Sequence, residues 1–195
     1  MRLFVAVDLD ESRRLAVSRV TREISKRLET AGLGRAVKWV EPRNLHLTIR
    51  FIGEVGEDRA GVLHEALRQP LLTPAFDLVL GGAGVFPPVG APRVLWLGTV
   101  QGASELADLH DEVEGRLQQI GGPPEARPFS GHLTLARFKD LDRRQGDAVR
   151  GAIRDVRLDA APCRVEAITL YESRLATAGR SYAPLVKSPL ARTRG

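Results

Sequence analysis

The hydrophobic pattern of the chain changes period several times. Residues 2 to 8, RLFVAVD, are β-branched and apolar enough for a buried strand. From Glu11 and Ser12 onward the period becomes helical, with Val17, Val20, Ile24 and Leu28 on one face. In the stretch AVKWVEPRNLHLTIRFIG, Pro42 and Asn44 separate a short strand from a second one that begins near Leu45. Glu57 and Asp58, suited to the first turn of a helix, open another helical segment with Leu63 and Leu67 directed inward.

Farther along, FDLVLGGAGVF and RVLWLGTV predict two strands around a glycine and proline loop, and Leu106, Leu109, Val113, Leu117 and Ile120 mark a long amphipathic helix. GGPPEARPFSG is a loop that leads into a strand over 132–138. A short helix around 142–152 and two last strands, CRVEAITLYES and YAPLVKS, complete the series. Many connections between strands are too short for parallel crossovers, so antiparallel sheets with outer helices, an α+β class, are expected. The elements divide into two similar halves, each with strands, a long helix and one histidine strand. One domain over 1–187 is expected. The ending KSPLARTRG is basic and lacks apolar period, so 188–195 is expected to be a flexible tail.

Composition narrows the function classes. Of the 195 residues 43% are apolar, enough for one core. The single cysteine, Cys163, excludes an internal disulfide framework and a multi-cysteine zinc site. The opening MRLFVAVDLDESRR has too short an apolar run for a signal peptide or membrane span, so a cytoplasmic protein with no membrane partner is expected. Lysine and arginine exceed aspartate and glutamate by 29 to 24, a net charge of +5 that favours an anionic partner only weakly.

The candidate chemistry lies in an internal echo. NLHLTIRFIG at 44–53 is answered by GHLTLARFKD at 131–140, so two of only four histidines head the same His-x-Thr frame. In an extended strand His46 and Thr48 share one face, while Leu47, Ile49 and Phe51 point to the core; His132 and Thr134 repeat the arrangement. Two imidazoles facing one phosphorus supply both proton transfers of a phosphodiester displacement, and threonine hydroxyls can donate to the non-bridging oxygens. Arg137 and Arg50 are candidates for added positive charge. The set requires no metal and no cofactor. His64 and His110, in helices without a partner pattern, are read as surface or capping residues, and GGAG at 81–84 as a turn.

HLTI and HLTL, with RLFVAVDL, NLHLTIRFIGEV, RVLWLG, ARPFSGHLTLARF and LYESRL around them, resemble the two-histidine phosphoesterases, in particular the RNA 2′,3′-cyclic phosphodiesterase branch historically called 2′-5′ RNA ligases. The resemblance runs from residue 2 to about 186. It implies a bilobal LigT-like fold with a pseudo-twofold axis and a central cleft. It also implies metal-independent hydrolysis of a terminal 2′,3′-cyclic phosphate on RNA, or on a small cyclic nucleotide, to a 2′-phosphate by a monomer. Carried over by position, His46 is the proton donor, His132 the proton acceptor, and Thr48, Thr134 and Arg137 bind phosphate. Two departures stand out: Gly131 replaces the usual proline before the second histidine, and strict alternation sets Arg137 on the face opposite His132. A reversible 2′-5′ RNA ligase, a hydrolase of another small cyclic phosphate, and a non-catalytic RNA end-binding protein are the alternatives. Phe4, Trp96, Phe129 and Tyr171 are the aromatics available for base stacking.

Overall fold

The computed structural model describes residues 1–158, 162–176 and 179–192. The elements follow the order β1 (Arg2–Asp8), α1 (Glu11–Thr30), β2 (Val37–Trp39), β3 (His46–Glu54), α2 (Glu57–Arg68), β4 (Phe76–Phe86), β5 (Val94–Gln101), α3 (Ala103–Gln119), β6 (His132–Phe138), α4 (Arg143–Ile153), β7 (Cys163–Val165), β8 (Ala167–Ala176) and β9 (Gly179–Pro189). No helix among the described residues is long and apolar enough to cross a membrane.

Helix faces follow the apolar period. Val17, Val20, Ile24 and Leu28 are the buried residues of α1, and Leu63 and Leu67 those of α2. Asp10 caps α1 by accepting a hydrogen bond from the Arg13 amide at 2.9 Å, and Asp142 and Gln145 form a reciprocal capping box on α4. These helices bury their apolar stripes against Leu3, Val5, Val7, Leu47, Leu95, Leu97, Leu133 and Leu170 in one continuous core.

The strands form one antiparallel sheet in the order β7-β4-β5-β6-β3-β1-β8-β9, with β2 added beside β6. The order is symmetrical about the β6–β3 junction, so two four-stranded lobes meet there. They are not successive halves of the chain. One lobe takes β1 and β3 from the beginning and β8 and β9 from the end, while the other consists of the central strands β4 to β7. CRVEAITLYES is correspondingly divided at Glu166 into β7, which pairs with β4, and β8, which pairs with β1. The junction rests on one antiparallel pair, Leu47 with Leu133.

Three expectations change. GGAG lies inside β4, where Gly82 (φ +44°) is skipped in the pairing with β5. A Cβ at Gly84 would lie 2.3 Å from the Trp96 indole, so the ring rests on bare backbone there. His110 is buried, 8% exposed, with its ring stacked on Phe129 at 4.6 Å. The expected tail boundary at 187/188 falls within β9. Ser188 and Leu190 are buried, and backbone hydrogen bonds join Leu190 to Glu166 and Ala191 to Thr73 and Ala75; residues 193–195 lie outside the described residues.

Arg50 is the main buried charge of β3, at 8% exposure. Its guanidinium donates to Glu114 at 2.6 Å, to Glu125 at 3.0 Å, to the Pro123 carbonyl at 2.8 Å and to the Phe51 carbonyl. Glu114 also accepts from the Glu125 amide at 2.9 Å. The network fastens the loop before β6 to the other lobe's β3. Burial by itself would raise the Glu114 carboxyl, but hydrogen bonds from Arg50, Gln118 and Glu125, with the Arg50 charge, outweigh it and hold the group below its ordinary 4.5.

Replacing Arg50 by alanine strands two carboxylates and should cost about 3–5 kcal/mol of stability in chemical denaturation. The native state binds fewer protons at Glu114 than the unfolded chain does. This contribution is therefore complete above the ordinary value and is lost as pH falls through the folded one; acid titration of Arg50→Ala should lack that component.

Candidate active site

The Leu47–Leu133 pair sends both leucines into the core and turns the flanking residues toward the opposite face. Antiparallel register then sets His46 opposite Thr134, and Thr48 opposite His132. The two His-x-Thr copies thus meet head to tail on one face of the sheet.

Each histidine is the first residue of its strand and is oriented in the same way. The Nδ1–H of His46 donates to the Asn44 carbonyl at 2.7 Å, and that of His132 donates to the Ser130 carbonyl, also at 2.7 Å. A carbonyl oxygen can only accept, so the proton is fixed on Nδ1 and the Nε2 lone pair of each neutral ring is left free. Local sequence builds these acceptors. Pro42–Asn44 is a 3₁₀ turn, and the Asn44 side chain donates to the Arg180 carbonyl at 2.9 Å. At the second site, a Cβ on Gly131 would lie 3.0 Å from Leu106, so glycine suits the crowded entry to β6.

The surroundings of the two rings differ. His46 packs 4.9 Å from Phe4 and 5.1 Å from Tyr182, ring centre to ring centre, and pairs with Asp8 of β1 in the sheet register. His132 lies 5.1 Å from Phe86 and 6.4 Å from Trp96, and pairs with Gly98. Burial among the aromatics pulls the His46 imidazole below its ordinary value, opposed in part by the Asn44 carbonyl and the Asp8 charge.

Matching bulges govern the rest of the site. In β3 the partners of Val5 and Ala6 are Arg50 and Thr48, so Ile49 is skipped; in β6 the partners of Leu95 and Trp96 are Ala136 and Thr134, so Leu135 is skipped. Beyond each bulge alternation is reset. Ile49 and Arg50 are both buried, as are Leu135 and Ala136, and the next residues, Phe51 and Arg137, return to the histidine face. This resolves the problem of alternation for Arg137, which is exposed beside Lys38 of β2. It removes Arg50 from the site. It also reverses the expectation for Phe51, which is 56% exposed rather than core.

Thr48 and Thr134 are half-buried on the histidine face. Among the aromatics considered for stacking, Phe4 is only 3% exposed, Phe129 covers His110, Trp96 lies on Gly84, and Tyr171 donates its hydroxyl to Asp8 at 2.6 Å. Sequence reasoning misses the placement of Phe51 and Lys38 on the histidine face, because their facing depends on strand pairing; the shared spacing of five from histidine to Phe51 and to Arg137 is the one cue. Among the described residues, no three His, Cys, Asp or Glu side chains gather as metal ligands.

A family model described as the 2′-5′ RNA ligase superfamily matches residues 16–176. The RNA 2′,3′-cyclic phosphodiesterase of Archaeoglobus fulgidus is 40% identical over 150 residues, covering 77% of this chain and 80% of the relative. That of Methanothermobacter thermautotrophicus is 36% identical over 184 residues, covering 93% and 95%. Among solved structures, a Thermus thermophilus protein superposes with a TM-score of 0.76 at 29% identity over the whole of both chains. E. coli LigT complexed with 3′-AMP gives 0.68 at 27% identity over 98% of each. With the matched segment spanning most of the chain and both histidine strands, the protein belongs to the 2′-5′ RNA ligase superfamily.

Proposed function

We propose that this cleft hydrolyses the 2′,3′-cyclic phosphate at the end of an RNA to a 2′-phosphate, with protein side chains alone. The observation that carries the reading is the pair of Nδ1–carbonyl hydrogen bonds at matching positions, which leaves two imidazole Nε2 atoms for proton transfer on one face of the sheet. Relatives named RNA 2′,3′-cyclic phosphodiesterase, at 31–40% identity, support the same substrate class.

In this mechanism His132 Nε2 takes a proton from water as the water oxygen bonds to phosphorus. The bond from phosphorus to the 3′ oxygen breaks, and His46, protonated at Nε2, gives that oxygen its proton. The products are a free 3′-hydroxyl and a 2′-phosphate, with the exchanged protons returned through solvent. The Thr48 and Thr134 hydroxyls donate to the non-bridging oxygens, where negative charge must be held. Arg137 and its neighbour Lys38 form no ion pair among the described residues and add positive charge at the cleft edge. The exposed Phe51 offers a flat apolar face to the terminal base. The likeness of the two histidines leaves their assignment as donor and acceptor to the family resemblance and to their unequal surroundings.

His46→Ala and His132→Ala should each lower kcat by about 10²- to 10⁴-fold with the fold intact, and the wild-type rate should survive a chelator. Identifying the phosphate position in the product, using an oligonucleotide with a cyclic phosphate end, checks the direction of ring opening. Full turnover by either alanine variant overturns the mechanism. Phe51→Ala should raise KM for such an oligonucleotide by about tenfold or more while leaving kcat nearly unchanged, the cost of one lost stacking contact.

A further inference from the structure

The two histidines are presented by the same tetrapeptide frame, the same carbonyl contact and the same bulged strand, so their difference must come from outside the motifs. The partner of His46 on β1 is Asp8, and the partner of His132 on the equivalent strand β5 is Gly98. One imidazole has a carboxylate beside it and the other has bare backbone.

The Asp8 carboxylate is held in place. Oδ1 accepts from the Tyr171 hydroxyl at 2.6 Å and Oδ2 from the Thr169 hydroxyl at 2.8 Å, both on β8. Burial, followed by the hydrogen bond to Asp8 and its charge, pushes the Tyr171 phenol far above its ordinary value, so Tyr171 remains a donor throughout the working range of pH. Asp8 and His46 line one cavity of about 130 Å³ together with Arg14 of α1, Arg43 and the two tyrosines. Arg43 is largely exposed and paired with Glu41 at 2.7 Å. Among the described residues Asp8 is a side-chain charge that favours the protonated His46 ring, against the burial imposed by Phe4 and Tyr182.

We propose that Asp8, fixed by Tyr171 and Thr169, is the positioning residue that keeps the buried His46 imidazole able to carry a proton to the departing oxygen. The inference rests on the acid and base reading given above. Asp8 contacts no reacting atom in this scheme and acts through the ring beside it.

The test is an NMR pH titration of the His46 and His132 ring signals in the wild-type protein and in Asp8→Asn, with pH profiles of kcat/KM. The titration of His46 should move to lower pH in Asp8→Asn while that of His132 stays in place. The alkaline limb of activity should move with it, so that the loss is smallest at the acid end of the profile and grows to about tenfold at its alkaline end. A folded Asp8→Asn protein with an unmoved His46 titration, or with both histidines moved equally, overturns the inference. The wild-type protein reports the same coupling without a change at Asp8: its carboxyl carbon signal should carry an inflection where His46 titrates, and a flat signal there counts equally against the proposal. Inactive His46→Ala beside an unaltered Asp8→Asn titration would reject Asp8 alone; active His46→Ala would reject the acid and base reading itself.

Discussion

Everything in the cleft is referred to one backbone pairing, Leu47 with Leu133. It joins two four-stranded lobes edge to edge, and it is the register around which the two histidine strands run in opposite directions. Because the leucines are anchored in the core, the flanking residues can only face the other way. A slip of one residue in either strand would bury a histidine and a threonine and expose the leucines. The hydrophobic effect therefore fixes the polar site indirectly, by leaving one tolerable register.

The Arg50 network explains how so small a seam is sustained. A buried guanidinium costs desolvation free energy, which is offset only if its donors are satisfied. Here they are met by Glu114 on α3 and by Glu125 and the Pro123 carbonyl in the loop before β6. The charge therefore ties the approach to the second motif to the strand that carries the first. Arg50 and Arg137 look like loosely matched residues in the sequence, yet one is buried in the scaffold and the other is exposed on the histidine face.

What can be read from the sequence follows the range of the forces involved. Helix faces are legible because desolvation acts at every turn: Val17, Val20, Ile24 and Leu28 declare α1 by spacing alone. The His-x-Thr faces are legible for the same reason, with period two. The bulges at Ile49 and Leu135 are not, since each is produced by pairing with a neighbouring strand, β1 or β5, that no local pattern specifies. Strict alternation accordingly sends Phe51 to the core and leaves Arg137 without an aim. The lobe composition is hidden for a related reason: β8 and β9 close the lobe begun by β1 and β3, a long-range closure invisible to a reading that divides the chain in succession. The basic ending misleads as well, because Ser188 and Leu190 are held by contacts with distant segments rather than by any period of their own.

The equal offset of the two bulges has one more consequence. It brings Phe51 and Arg137 to equivalent places on the two lobes, so that an apolar ring on one side corresponds to a cation on the other. A cleft with strict twofold chemistry would present the same surface to a polymer arriving in either sense. Here the two ends of the histidine face differ, and Phe51 and Arg137 add to the difference already made by Asp8 and Gly98.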